Sequence, residues 1–328
     1  MELFSYNKRV KVSLLILAYN EESFIEEIVK KYNHYFESLI VVNDCSTDNT
    51  STILSDLSES NKNIVIINNQ KNVGAGKSMF NGVEYFLESE SDYLIKIDGD
   101  DQFIEKDIVF LLEKIKSEHF DFIKCDRFWT DGIIGKIPNI RYVGNAFASF
   151  LIKFTTGNWS MNDPLNGLFV FSKKSLKNLE LPKLFYRYGY PFFITSEVAK
   201  NAIINEIKIG QYKNKVKYEK EDSNLSAFIM FFKLTWYTLK NYYSKIKFKM
   251  RISELQLSGI LDIFSQIFLF ISVYALGNSI NLRYFLNSGP QGTWFLIFLF
   301  MFIIFIALLV FSQKIESSSS KGKFYKLN

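Results

Sequence analysis

The run from Thr293 to Phe311, TWFLIFLFMFIIFIALLVF, carries no charged residue. A helix of that composition has no polar face to give to water, and roughly 20 helical residues cross a ~30 Å hydrocarbon core. The run (about 293–311) is therefore read as a membrane span. A second run, about 259–280 (GILDIFSQIFLFISVYALGNSI), has the same reach, with Asp262 its only charge. Asp262 and Gln266 share one face near its start, which is costly in lipid. A buried core helix is the competing reading for this run. The connector between the runs holds Arg283 alone, whereas basic residues precede the first and Lys314, Lys321, Lys323 and Lys326 follow the second. The positive-inside rule then places both flanks in the cytoplasm.

The chain of 328 residues has 39 Lys+Arg against 34 Asp+Glu. Between Leu225 and Ser258 stand six basic residues and one acid, Glu254, which is the whole excess of +5. The remainder is balanced, so no nucleic-acid footprint is indicated. In the same stretch Leu225, Phe228, Phe232, Trp236, Leu239, Tyr243 and Ile246 recur at helical spacing, bordered by Lys233, Lys240 and Lys247. An aromatic stripe edged with lysines suits a helix in the lipid headgroup region; packing into a soluble core is the alternative. The expected organisation is a cytoplasmic catalytic domain over 1–224, basic amphipathic interfacial helices over 225–258, and a membrane hairpin with a short cytoplasmic tail over 259–328. Two histidines, and two cysteines at Cys45 and Cys125 outside any C-x-x-C pair, argue against a disulfide framework or a Cys/His zinc site.

Before residue 225, apolar strand-like runs alternate with helical periodicity. The strands are Val10–Tyr19, Ser38–Asn43, Asn63–Asn68, Asp92–Ile97 and Phe120–Cys125; helices are expected from about Phe24, Thr47, Ala75 and Ile108. Short connections between such elements imply an α/β fold with a mostly parallel sheet covered on both faces. Ligands in such sheets bind beyond the carboxyl ends of the strands. Polar clusters stand there: Asn20-Glu21-Glu22, Asn43-Asp44-Cys45-Ser46-Thr47-Asp48 and Asp98-Gly99-Asp100-Asp101-Gln102.

Three carboxylates within four residues repel one another unless a cation intervenes. Mg²⁺ or Mn²⁺ prefers oxygen ligands and shares its shell with phosphate. Gly99 allows close backbone approach. A solvated acidic turn capping the next helix is the plainer alternative. Asp44 sits where a carboxylate could accept a hydrogen bond from a base or ribose, although the cluster around it could simply cap a helix. Asn72-Val73-Gly74-Ala75-Gly76-Lys77-Ser78 fits neither nucleotide loop: a P-loop needs glycine where Lys71 stands, and G-x-G-x-x-G needs it at Met79.

Taken together, LILAYNEE (15–22), VVNDCSTDNT (41–50), KNVGAGKSMFNG (71–82) and IDGDDQ (97–102) resemble glycosyltransferase family 2, of GT-A fold. The resemblance implies a nucleotide-diphosphate sugar, UDP- or GDP-linked, held by Leu17, Tyr19, Glu21, Asp44, Asn72, Gly76, Lys77, Asp98 and Gly99. It also implies Mg²⁺ or Mn²⁺ on Asp100 and Gln102, with Asp98 nearby. Beyond the nucleotide half the chain is similar to the polyprenyl-phosphate glycosyltransferases, such as dolichol-phosphate mannose synthases. Arg127 (KCDRF) and Arg141 (NIRYVGN) match the acceptor-phosphate positions, Asp163-Pro164-Leu165-Asn166-Gly167 the D-x-x-x-G turn, and Ser196-Glu197 the acidic helix position. Three departures stand out: Leu17 replaces a proline, Phe169 an arginine two residues after the turn glycine, and YEKEDSNLS (218–226) an arginine-rich segment.

The implied reaction is inverting transfer of a hexose to a polyprenyl phosphate, such as undecaprenyl or dolichyl phosphate, at the cytoplasmic face of the membrane. Asp98, Asp100, Arg127, Arg141 and Glu197 form the catalytic set. A phosphate with a second pKa near ~6 is largely dianionic at pH 7 and attacks without a general base. Arginines offer it planar bidentate donors. A sugar-hydroxyl acceptor would instead require a base, for which Glu197 is placed. A non-catalytic, membrane-tethered nucleotide-sugar binder is the third reading. A homo-oligomer is compatible with all three.

Overall fold

A computed structural model of the chain describes residues 9–128, 133–134, 139–177, 179–217, 227–286 and 289–327. In chain order its first half reads β1 (Val12–Ala18), α1 (Ile25–Tyr32), β2 (Ser38–Asn43), α2 (Thr50–Ser60), β3 (Ile64–Asn68), α3 (Ala75–Glu88), β4 (Tyr93–Asp98), α4 (Glu105–Glu118) and β5 (Phe122–Asp126). There follow β6 (Ile133–Ile134), α5 (Asn139–Thr156), β7 (Phe169–Ser172), α6 (Lys173–Leu176), α7 (Tyr190–Asn201), β8 (Lys208–Lys213) and β9 (Val216–Lys217). The chain ends with α8 (Ala227–Lys249), α9 (Gln256–Asn281), α10 (Gln291–Ser319) and β10 (Lys323–Leu327).

The main sheet has eight strands in the order β10-β8-β5-β7-β4-β1-β2-β3. Only β7 runs antiparallel, between β4 and β5. Every residue of β1 is buried, as its unbroken apolar run demands of a central strand with helices on both faces. The core on one face gathers Leu14, Ile16, Ile28, Leu39, Val41, Ile95, Ile97, Leu111 and Ile123.

Contacts divide the chain into two units, Met1–Trp236 with Lys321–Asn328, and Tyr237–Ser320. The C-terminal tail, expected to belong with the hairpin, adds β10 to the edge of the sheet in the first unit, in register from Lys323↔Lys208 to Leu327↔Tyr212. The amphipathic stretch is mostly one helix, α8. Its predicted stripe is exposed at Phe228, Phe232, Trp236, Leu239 and Tyr243, while Met230, Leu234, Tyr237 and Ile246 are buried. Leu225 lies outside the described residues.

In the second unit, the segments Ser253–Phe285 and Gln291–Ser319 are helices long and apolar enough to cross a membrane. Their large side chains are widely exposed (Phe270 66%, Tyr274 67%, Leu296 66%, Ile303 64%), which does not fit a core helix of a soluble protein. Asp262 has partners within this unit. Its carboxylate accepts from Lys249 Nζ at 2.7 Å and Ser312 Oγ at 2.5 Å. Glu316 pairs with Lys245 at 2.5 Å and also with Lys249. Two of the six basic residues between Leu225 and Ser258, Lys245 and Lys249, are thus buried in ion pairs. A charge removed from water needs such a partner.

Candidate active site

The carboxyl ends of β1, β2 and β4 meet because these strands are neighbours in the sheet. Leu17 stands in register with Asp98 on one side and Val42 on the other. The Gly99 N–H donates to Leu17 O at 2.9 Å. A Cβ on Gly99 would lie 2.9 Å from that oxygen and 3.3 Å from Glu21 Cγ, so glycine is the residue that lets the two ends touch. Tyr19 is exposed at the lip, and Glu21 takes its N–H to Thr50 Oγ1 at 2.8 Å.

Asp44 is buried and braces the loop before α3. Its carboxylate accepts from Val73 N and Gly74 N at 2.8 Å each, and from Asn69 Nδ2 at 2.9 Å. It therefore shapes the Gly-rich loop, a role the sequence did not suggest. Asn72 Oδ1, in that loop, is a buried acceptor with no hydrogen-bond partner. Buried acceptors in this state are uncommon and suit a position that awaits a ligand. The first turn of α3 is covered by another loop: Lys77 N donates to Tyr186 O at 2.9 Å, and a Cβ on Gly76 would stand 2.1 Å from Phe185 O. Gly76 thus permits loop packing, while the Lys77 ammonium faces Glu84 at 3.3 Å.

At the end of β4 the acidic turn is charge-compensated. Asp98 Oδ1 accepts from Lys96 Nζ at 2.6 Å. Asp101 faces Lys31 at 2.7 Å and Lys217 at 3.7 Å. Asp100 Oδ1 accepts the Gln102 N–H at 3.2 Å, and Gln102 O accepts from Lys217 N at 3.0 Å, so the segment around β9 braces the turn. Burial works to lower the Lys96 pKa, but Asp98 and the Tyr190 phenol beside it hold it above the ordinary lysine value. Gly167 of the D-x-x-x-G turn lies over this pair; a Cβ there would come within 2.5 Å of Asp98 Oδ2.

Among the described residues, no three His, Cys, Asp or Glu side chains converge into a self-sufficient cation cage. A Mg²⁺-type site needs no such cage, since it takes one or two carboxylates and completes its shell with water and phosphate oxygens. Asp100 and Gln102 fit that donor set.

Beyond β7, Arg127 at the end of β5 is tied to Asp163. Its backbone N and its Nε reach Oδ2 at 2.9 Å each, and Nη2 reaches Oδ1 at 3.1 Å. Asp163 is fully buried and holds a left-handed φ of 45°. Its N–H donates to Ser149 Oγ at 3.1 Å. The Arg141 side chain lies outside the described residues. Helical spacing nevertheless puts position 141 on the same row of α5 as Asn145 and Ser149. Asn145 is buried with Oδ1 lacking a hydrogen-bond partner, another polar group the sequence reading passed over. Glu197 pairs with Lys200 at 2.6 Å. It stands two turns, about 10 Å, along α7 from Tyr190. Positions 218–226 lie outside the described residues.

Lys96 and Lys124 were also missed, though each breaks an apolar strand (LIKI and FIKC) and could have been noticed for that. Both are 0% exposed. Lys124 Nζ donates to the main-chain oxygens of Cys125 at 3.0 Å and Asn166 at 3.2 Å. Burial lowers its pKa to about 8. Phe169, in place of the expected arginine, stands in register between the two lysines, so positive charge reaches this level of the sheet from the adjacent strands.

The family model of Glycosyl transferase family 2 matches residues 13–180. A UDP-N-acetylglucosamine–dolichyl-phosphate N-acetylglucosaminyltransferase of Methanococcus voltae is 28% identical over 220 residues, 63% of this chain and 86% of that protein. An uncharacterized protein of Methanocaldococcus jannaschii is 30% identical over 207 residues, 60% of this chain and 87% of its own length. Among solved structures, glucosyl-3-phosphoglycerate synthase from Mycobacterium tuberculosis superposes with a TM-score of 0.52 at 16% identity, over 71% of this chain and 80% of that one. The four motifs, the sheet that joins them and these matches agree: the chain belongs to glycosyltransferase family 2 and has the GT-A fold.

Proposed function

We propose that the protein transfers a hexose, with inversion, from a nucleoside-diphosphate sugar to a polyprenyl phosphate at the cytoplasmic face of a membrane. The observation that carries this reading is one sheet edge holding both an acidic turn at β4 and an anchored guanidinium at β5, in a chain with two membrane-length helices. The Methanococcus relative supports a lipid phosphate as acceptor and makes UDP-N-acetylglucosamine the first donor to try.

In this reading the β1 and β2 ends hold the nucleotide, through Asn72 and the loop that Asp44 shapes. Asp100 and Gln102 would hold a divalent cation, which would supply positive charge against the departing diphosphate. Arg127, oriented by Asp163, and position 141 hold the acceptor phosphate near that diphosphate against their mutual repulsion. The dianionic acceptor attacks the anomeric carbon from the face opposite the leaving group, the diphosphate leaves with the bonding pair, and no protein base is used. The exposed aromatic row of α8 lies at the headgroup level.

The test is an assay of detergent-purified protein with undecaprenyl phosphate, Mn²⁺ or Mg²⁺, and labelled UDP- and GDP-sugars. Label entering the lipid phase, and lost in Asp100→Asn, is the expected result. Transfer to a glycan hydroxyl that is abolished by Glu197→Gln would move the acceptor to the alternative chemistry. Nucleotide-sugar binding without turnover on any acceptor would identify a non-catalytic binder.

A further inference from the structure

Lys96 lies inside the central sheet, on β4 between β1 and β7, and none of its surface is exposed. An aliphatic side chain would fill this position without the expense of removing an ammonium from water. Its neighbour in the same row, Lys124, settles on main-chain carbonyls. Lys96 instead donates to the Asp98 carboxylate at 2.6 Å, with the Tyr190 ring centroid 5.5 Å from Nζ. The side chain of Asp98 is 34% exposed, so the pair joins a buried ammonium to a carboxylate that opens on the cleft. Lys96 takes Oδ1. Oδ2 is the oxygen that faces Gly167, where any Cβ would stand 2.5 Å away.

The strand order adds the direction. Asp98 ends β4, with the Asp44 loop on the β1–β2 side and Arg127 beyond β7 on the other. If nucleotide and acceptor occupy those two sides, as proposed above, the sugar in transit lies between them, against Asp98. We infer that Lys96 is a positioning residue: it pins Asp98 through Oδ1 so that Oδ2 is presented to the transferred sugar, and so governs recognition of the sugar and not of the nucleotide. This rests on the donor reading given above.

Titration calorimetry with UDP and with UDP-N-acetylglucosamine (or the GDP pair, if that is what wild type binds) separates the two ends of the donor. Lys96→Met is expected to keep UDP affinity within about threefold while weakening the sugar nucleotide about tenfold or more. The conservative Lys96→Arg should regain part of that loss. Asp98→Asn should reproduce it, and Lys96→Met/Asp98→Asn should be no worse than Asp98→Asn alone, because the two residues act as one unit. An unchanged ratio of sugar-nucleotide to nucleotide affinity in Lys96→Met, with only a lower melting temperature, would make Lys96 purely structural and overturn the inference. If Lys96→Met does not fold, a double variant differing from Asp98→Asn by more than about threefold overturns it equally. Failure of the donor reading has its own signature: wild type then binds neither nucleotide sugar, and the inference falls with it.

Discussion

Arg127 gives the sharpest quantitative test because it has both a structural and a functional partner. Its side chain is 15% exposed and that of Asp163 is 0% exposed, so replacing Arg127 with methionine strands a carboxylate in the protein interior. Two side-chain bonds are lost, at 2.9 and 3.1 Å, while the backbone donor to Oδ2 stays. Breaking a buried pair from one side costs about 3–5 kcal/mol. The remaining backbone bond and partial solvent access favour the lower end, roughly 3 kcal/mol. At about 2–4 °C per kcal/mol for a domain of this class, the melting temperature should fall by roughly 6–12 °C. Arg127→Met/Asp163→Asn removes both charges and should recover at least half of that. Differential scanning fluorimetry of the three proteins in one detergent reads the effect directly. If the double variant regains stability and still binds nucleotide, yet transfers nothing to polyprenyl phosphate, Arg127 contributes to the acceptor site beyond holding the turn. A single variant melting within about 2 °C of wild type would refute the stability argument. A double variant with restored transfer would refute the acceptor role.

Gly167→Ala places a methyl 2.5 Å from Asp98 Oδ2, so donor affinity should drop at least tenfold, with a much smaller fall in melting temperature; unaltered donor titration would show that Asp98 does not face the ligand. Lys124, lowered to about 8 by burial, holds fewer protons when folded than when unfolded between about pH 8 and 10.5. Wild-type stability should therefore rise with pH across that window relative to Lys124→Met, by up to about 3 kcal/mol; parallel melting curves for the two proteins from pH 7.5 to 10 would exclude it. Deleting residues 321–328 removes the β10 ladder and uncovers the place of the buried Leu327. The loss should be about 2–3 kcal/mol, with faster amide exchange in β8; exchange at Ile209–Tyr212 equal to that of the full chain would count against it.

The alternation of strands and helices from Val12 to Asp126 was legible because a central strand must be apolar throughout and its covering helices on one face only. The two membrane-length helices were legible for a similarly simple reason, at most one charge over a bilayer's thickness. Asp98, Asp100 and Gln102 were visible as a local cluster at a strand end. Other features could not be read this way, because they depend on partners far away in sequence. Lys323–Leu327 looks like any short basic tail until β8 offers it an open edge. That Asp44 also braces the Val73 and Gly74 amides could not be seen from its own strand end. Nor does the local pattern show that Gly76 must make way for Phe185 O, 2.1 Å from where its Cβ would be.

The amino-acid pattern was enough for the α/β class, the place of the nucleotide-side strands along the chain and the presence of two apolar helices, all consequences of which side chains water accepts along a local repeat. Which charges belong together came from the folded chain: Lys96 with Asp98, Arg127 with Asp163, Lys249 with Asp262. A buried charge needs a partner within a few ångströms, and nothing in the local sequence says which distant residue the fold will bring there.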